Sequence, residues 1–240
     1  MCYSVESSAK TSAISLIAII YLFSSNIPHF KWLAVTLIGW CFMQFCELLL
    51  WLTEPRKGCT DMNTIITMTL IPFTLIMQPL GSLFGSLYVI PWEKSSTFRK
   101  NFIIAYSIFV ILLYTSYHFY KPEKICTTVT KGGHLDWYTR YNTPEDNIFT
   151  FIFIAILIVL PLFMFWDKSF LVLFLLLLFP GFGFIYGKMY TDSAGSIWCY
   201  YTSYTSIISS ALLFLDRWTF QMGTKQNSPS VRTALAVKWA

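Results

Sequence analysis

The feature that most restricts this chain is a series of apolar segments, each about 20 residues long, separated by short polar breaks. About 20 apolar residues in a helix match the thickness of a bilayer core. A membrane β-barrel would instead show alternating segments of about ten residues, and the sequence has no such segments. The pattern predicts an all-α fold, an integral membrane bundle of about seven transmembrane helices.

The composition excludes most soluble classes of protein. Hydrophobic residues make up 55% of the 240 residues and charged residues only 12%, whereas soluble domains carry about 25% charged residues. The net charge of +5 is scattered over the loops and the C-terminal tail, with no dense basic run. We therefore expect the lipid bilayer as partner and no nucleic acid.

The predicted spans are placed by the apolar runs and the breaks between them. They cover about residues 8–25, 31–52, 61–90, 97–117, 148–165, 169–186 and 195–215. We expect one transmembrane domain over residues 1–218 and a polar tail over residues 219–240. An odd number of spans puts the termini on opposite faces of the membrane. The face that carries the N-terminus is called side A below.

The third span contains both helix breakers and small residues. Pro72 and Pro79 should kink it, which membrane helices tolerate when neighbours satisfy the freed carbonyls. Gly81 and Gly85 are four residues apart, and this spacing predicts close contact with another helix.

A polar stripe lies in the second span. Trp40, Gln44, Glu47 and Trp51 are separated by four, three and four residues, so they share one face of a helix. A carboxylate at membrane depth is energetically costly, and it is a functional-site hypothesis by default.

Residues on other spans were matched to Glu47 by their depth in the membrane. Glu47 lies about five residues from side A, at about 1.5 Å per residue. The matching candidates on the other spans are Lys10, Thr67, Trp198, Tyr201 and Tyr204. With Gln44, they predict a polar cavity that opens to side A and has Glu47 on its wall. The alternative is packing alone, with Glu47 paired to Lys10 or protonated and bonded to Gln44 and a threonine.

Two cysteines are informative about the orientation of the chain in the membrane. Cys59 and Cys126 both fall in loops on side A, where a disulfide would join the loops and make side A extracellular or lumenal. The alternative is two free thiols in cytosolic loops.

The sequence favours a protein that is not an enzyme. The three histidines, His29, His118 and His134, lie in or near loops, and no two of them have metal-binding spacing. No Cys-x-x-Cys pair is present either. We expect no cofactor and no metal. An intramembrane enzyme that uses a cysteine or His134 is the third hypothesis.

Several short motifs, taken together, resemble a family of uncharacterised multi-pass membrane proteins of large DNA viruses, algae and protists. The motifs are Met1-Cys2-Tyr3-Ser4, Met43-Gln44-Phe45-Cys46-Glu47 with Trp51, Cys59 followed by Asn63, Gln78-Pro79, Gly133-His134-Leu135 with Trp137, and Trp198-Cys199. The resemblance implies a host or virion membrane as location. It also implies that Gln44, Glu47, Cys59, Cys126 and His134 belong to the shared pattern.

Two functions follow from these observations. The leading hypothesis is a membrane protein that handles an ion, a proton or a small ligand through Glu47 and Gln44. The alternative is a structural or assembly protein of a viral or host-derived membrane, in which the polar stripe serves helix packing. The sequence leaves open whether copies of the chain associate as a homo-oligomer.

Overall fold

The computed structural model describes residues 4–120, 126–137 and 194–226, together with Ile152 and Gly183. These residues form five α-helices: α1 (Val5–Phe23), α2 (Pro28–Leu52), α3 (Asp61–Val89), α4 (Thr97–Tyr120) and α5 (Ala194–Gln226). A short 3-10 helix (Trp92–Lys94) precedes α4, and the strands β1 (Thr128–Val129) and β2 (Leu135–Asp136) follow it.

The predominantly helical structure confirms the predicted all-α class, with the addition of the two-residue strands. Helices α1 to α4 are long and apolar enough to cross a bilayer, which fits a membrane protein. The predicted spans 148–165 and 169–186 lie outside the described residues, apart from Ile152 and Gly183. The count of seven helices therefore stays a prediction.

Local capping decides where the first helices begin. Ser4 caps α1, because its hydroxyl accepts a hydrogen bond from the Ser7 N–H at 3.2 Å. The predicted start of the second span at residue 31 was wrong, since Pro28 occupies the first turn of α2, a position that needs no N–H donor. Thr60 caps α3, because its hydroxyl accepts a hydrogen bond from the Asn63 N–H at 3.2 Å.

The last helix is longer than the sequence predicts. Helix α5 continues to Gln226, beyond the expected end near residue 215 and across the expected boundary at residue 218. The start of the predicted tail is therefore helical.

Helix α2 is the centre of the described bundle. It packs against α1, α3 and α5, and α3 in turn packs against α4. Its buried residues point in several directions around the axis, as expected for a helix with neighbours on most sides.

Glycines bring α2 and α3 close together. A Cβ at Gly39 would lie 2.3 Å from the Met77 carbonyl oxygen, and a Cβ at Gly81 would lie 2.9 Å from that of Val35. At Gly85 the corresponding distance to the Trp32 carbonyl oxygen is 2.8 Å. The close contact predicted from the glycine spacing is thus confirmed, and Gly39 completes it from α2.

The outer surface of the helices is apolar, and basic residues meet aromatic rings near the helix ends. Exposed side chains include Leu16, Ile17, Ile20, Phe45, Phe73, Ile104, Ile108 and Leu112. Lys31 lies over the Tyr88 ring at 6.0 Å, and Arg56 lies over the Trp51 ring at 5.7 Å. Apolar flanks with basic and aromatic ends are typical of helices in a bilayer.

Candidate functional site

The polar stripe of α2 faces the interior of the bundle. Trp40, Gln44, Glu47 and Trp51 are all buried, and the exposed fraction of Glu47 is 0%. Within the part of the chain whose side chains are described, Glu47 is the only buried carboxylate. The stripe therefore does not face lipid.

Contacts from α1 and α5 show which neighbours the stripe meets. The Thr11 hydroxyl of α1 donates to Gln44 Oε1 at 2.8 Å. The Trp198 ring of α5 lies 5.8 Å from the Trp40 ring, centroid to centroid. Gln44 of the stripe thus meets α1, and Trp40 of the stripe packs against Trp198 of α5.

The Thr11–Gln44 contact also gives the register between α1 and α2. The two helices are consecutive and antiparallel, so residues that precede Thr11 lie opposite residues that follow Gln44. Ser8 and Glu47 are each three residues from this contact, towards the same end of the bundle, and neither has an exposed surface. We therefore place Ser8 at the height of Glu47.

Two of the predicted cavity residues are directed elsewhere. The Lys10 ammonium lies 2.6 Å from a Glu6 carboxylate oxygen, and both side chains are largely exposed. Tyr204 is 40% exposed, and its hydroxyl lies 2.8 Å from that of Tyr200. These contacts place Lys10 and Tyr204 on the surface of the bundle.

Tyr201 packs against the one described residue of the predicted sixth span. A Cβ at Gly183 would lie 2.5 Å from Cδ2 of Tyr201. Because glycine has no Cβ, the aromatic ring occupies that space. Tyr201 therefore has a packing contact that its depth alone did not predict.

Thr67 belongs to a buried hydrogen-bonded cluster with Asn63 and Thr127. Its hydroxyl lies 2.8 Å from that of Thr127 and donates to Asn63 Oδ1 at 3.1 Å. The Asn63 side chain accepts from the Thr127 N–H at 2.8 Å and donates to the Thr127 carbonyl at 2.9 Å. Thr67 thus helps to hold the segment after α4 against α3.

The predicted Cys59–Cys126 disulfide is present beside this cluster, with the two Cα atoms 5.8 Å apart. It joins residues on either side of α3 and α4 in the chain. With the Asn63–Thr127 pair, it fixes the segment at two adjacent points.

The anchored segment continues into a β-hairpin. Strands β1 and β2 pair antiparallel, and Gly133, with φ of 81°, lies in the turn between them. Leu135 and Trp137 are buried in a cluster with Leu50 and Trp51 of α2, and β2 contacts α5. The hairpin therefore covers the end of the bundle from which the sequence predicts access to Glu47.

His134 lies within this hairpin and is buried. Burial lowers the pKa of its imidazole below the usual value of 6.5, because the charged form loses hydration. Its backbone N–H bonds to the Thr130 hydroxyl at 3.2 Å, and its carbonyl accepts from the Thr130 N–H at 2.8 Å. The structure thus places His134 at the turn of the hairpin.

The described ranges contain no cluster of three or more His, Cys, Asp and Glu residues that is suited to a metal ion. The free cysteines Cys41 and Cys46 are buried in α2. Cys46 Sγ lies 3.3 Å from the Thr74 hydroxyl of α3. This thiol therefore points to α3, whereas Gln44 meets α1.

Helix α1 has a polar face that the predicted set of cavity residues does not contain. Ser8, Ser12 and Ser15 are spaced by four and three residues, and the hydroxyl oxygens of all three are buried. This spacing is a helical stripe that is visible in the sequence.

Comparison with known proteins finds no relative: no protein-family model, no curated protein and no solved structure matches the chain. The resemblance to viral, algal and protist membrane proteins therefore stays a prediction from motifs.

Proposed function

We propose that this chain is a multi-pass integral membrane protein in which Glu47 and Gln44 form an interior site for a proton, a cation or a small ligand. Helices α1 to α4 have the length and hydropathy for spanning, and their exposed side chains are largely apolar. Basic and aromatic residues meet near helix ends, as expected at membrane interfaces.

The observation that carries this proposal is the complete burial of Glu47 on the inner face of α2. A charge costs about 2.5–3.5 kcal/mol at the centre of a membrane helix and less towards its ends, whereas an interhelical hydrogen bond contributes about 0.6 kcal/mol. Packing alone therefore offsets little of the cost of the carboxylate. A bound cation or proton removes that cost, because it neutralises the charge.

One form of the packing alternative is disfavoured. Lys10, the expected ion-pair partner of Glu47 in that form, instead has its ammonium beside Glu6 at the surface.

The disulfide supports an orientation. Cys59 and Cys126 are bonded at the end of the bundle where the hairpin lies. Because disulfides persist in oxidising compartments, we infer that this end, side A, faces the extracellular space or an organelle lumen. A host or virion membrane, as the motif resemblance implies, is consistent with this orientation.

The test compares two glutamates that differ in burial. Glu47→Gln should abolish proton or monovalent-cation flux into liposomes while the protein stays folded and monodisperse in detergent. Glu54→Gln is the matched control, because Glu54 is exposed and forms an ion pair with Lys57 at 2.8 Å. Flux in the wild type that persists unchanged in Glu47→Gln would contradict the role of Glu47.

The second candidate is a structural or assembly protein of a viral or host-derived membrane. The bond between Thr11 and Gln44 favours it, since such a bond joins α1 to α2 without any ligand. This candidate predicts that Glu47→Gln reduces folding yield and thermal stability, and that the wild-type protein conducts no ions. The same set of variants therefore separates the two candidates.

A further inference from the structure

Basic side chains gather at the end of the bundle opposite the disulfide. This end, called side B, is formed by the start of α2, the end of α3 and the start of α4. Its described side chains include the cations Lys31, Lys94, Arg99 and Lys100 and the carboxylate Glu93. None of these groups forms an ion pair within the part of the chain that the structure describes. Side B therefore keeps an excess of positive charge.

The basic residues at side A have carboxylate neighbours instead. The Lys10 ammonium lies 2.6 Å from a Glu6 oxygen, and the Lys57 ammonium lies 2.8 Å from a Glu54 oxygen. These carboxylates neutralise both lysines locally. The two ends of the bundle thus differ in the charge that they present to the membrane surface.

Two of the cations at side B lie over exposed aromatic rings. The Lys31 ammonium lies 6.0 Å from the centre of the Tyr88 ring, and the Lys100 ammonium lies 5.6 Å from that of Trp92. Both rings are exposed, and tyrosine and tryptophan are enriched at the level of lipid headgroups. Because an aromatic ring is neutral, each ammonium keeps its full charge at that level.

Arg99 is held at the same end of α3 and has donors left over. Its Nη2 donates to the carbonyl and hydroxyl oxygens of Ser86, at 3.1 and 3.0 Å. No hydrogen bond within the described residues uses its Nε or Nη1. A guanidinium has five N–H donors, and a fixed guanidinium is suited to phosphate oxygens.

We propose that side B binds the headgroups of anionic phospholipids, and that Lys31, Arg99 and Lys100 contact their phosphate oxygens. The contacts of all three cations lie within residues 86–92, so the cations surround one short segment. Phe84 and Phe98, which are exposed near this segment, would lie beside acyl chains, and a free anion has none. In the orientation inferred from the disulfide, side B faces the cytosol, where the membrane leaflet carries anionic lipids.

The experiment titrates the full-length protein in detergent with phosphatidylserine or with phosphatidylcholine of the same acyl chains, and native mass spectrometry counts the bound lipids. Phosphatidylserine should bind at a lower concentration, by about tenfold, because its headgroup carries a net negative charge. This preference should decrease as the concentration of ammonium acetate rises. Equal binding of the two lipids would overturn the proposal.

Inorganic phosphate distinguishes a lipid headgroup from a free anion. At the concentration of the lipid, it should leave phosphatidylserine bound, because it has no acyl chain to place beside the apolar helix flanks. Displacement of the lipid by inorganic phosphate would show a site for a free anion and overturn the lipid assignment.

Variants then assign the binding to side B. The double variant Lys31→Gln/Lys100→Gln should weaken phosphatidylserine binding about tenfold or more, because each basic residue near an anionic headgroup contributes to the attraction. The control Lys10→Gln/Lys57→Gln removes the same charge from side A and should bind as the wild type does. Equal binding by the two double variants would overturn the placement of the site. Arg99→Gln should also weaken binding, and the lysine variants decide the test if Arg99→Gln fails to fold.

The proposal does not depend on the proposed function, since none of its residues belongs to the stripe on α2. A preference for phosphatidylserine that Lys31→Gln/Lys100→Gln removes would support the lipid site even if the wild type transports nothing. Flux that depends on Glu47, together with equal binding of the two lipids, would leave the proposed function standing and overturn the lipid site.

Discussion

The side-chain amide of Asn63 pairs with both backbone polar groups of Thr127, accepting from its N–H at 2.8 Å and donating to its carbonyl at 2.9 Å. An asparagine amide presents a donor and an acceptor side by side, as a neighbouring β-strand would. Through these two hydrogen bonds, the start of α3 holds the irregular segment that contains Thr127. The hairpin over the Glu47 end of α2 depends on this attachment.

Asn63→Ala should release the hairpin. It removes both bonds and leaves the buried carbonyl of Thr127 without its donor, whereas the N–H keeps the Thr67 hydroxyl at 3.1 Å, so we expect a loss of about 1–3 kcal/mol. Amide hydrogen exchange over residues 127–135 should accelerate, and trypsin should cleave faster after the exposed Lys131.

Thr69→Ala is the control for this change, because the Thr69 hydroxyl is exposed and bonds only to the Ile65 carbonyl of its own helix, at 2.7 Å. Unchanged exchange and cleavage in Asn63→Ala would contradict the role of the Asn63–Thr127 pair in holding the hairpin.

Removal of the Cys59–Cys126 bond should lower the free energy of unfolding, because the unfolded chain then has more conformational freedom. The two cysteines are 67 residues apart, and the chain-entropy relation gives a loss of about 4 kcal/mol for a loop of that size. Cys59→Ser, Cys126→Ser and the double variant should all lose the same free energy of unfolding. They should also stop responding to dithiothreitol. Additive losses in the double variant would contradict a shared bond.

The hairpin should weaken in acid because of His134. Burial lowers the pKa of His134 in the folded protein, so the unfolded chain binds more protons at pH values between the lowered pKa and about 6.5. Stability is therefore complete above pH of about 6.5 and decreases as the pH falls through this window. His134→Gln should lose this pH dependence when hydrogen exchange of the hairpin is followed from pH 7.5 to 5. A steeper acid loss in the variant would contradict the assignment.

Gly39→Ala should disrupt the contact between α2 and α3. The added Cβ would lie 2.3 Å from the Met77 carbonyl oxygen, which is backbone and cannot rotate away. Overpacking of this kind costs about 1–3 kcal/mol, measurable as a lower Tm in detergent. Gly132→Ala is the control, since the nearest atom to its Cβ is His134 Cδ2 at 3.5 Å. Equal Tm values for the two variants would refute a close crossing at Gly39.

The positions of the helices were largely predictable. Apolar length placed α3 and α4 with the correct first residue, because hydrophobic matching acts along the chain and needs no partner. Local chemistry explains the errors at the other starts. Pro28 begins α2 although it lies between the first two predicted spans, since proline both ends helices and suits their first turn.

The composition of the site was predictable only in part. Depth matching orders residues along the bundle axis, and Trp198, which it selected, packs against Trp40 of the stripe. It gives no rotation about each helix axis, so it also selected Tyr204, which is exposed. Depth matching also leaves out the loops. It therefore could not predict that Thr67 bonds to Thr127, which lies in the segment after α4.

The sequence by itself determined that the chain is helical and apolar, that α2 carries a polar stripe with Glu47, and that Cys59 and Cys126 are suited to pair. These properties depend on residue type and spacing along one segment. Only the tertiary structure decided that the stripe faces α1 and α5, that Ser8 shares the height of Glu47, and that a hairpin covers this end. Such relations depend on how helices rotate and cross, and packing between distant segments sets both.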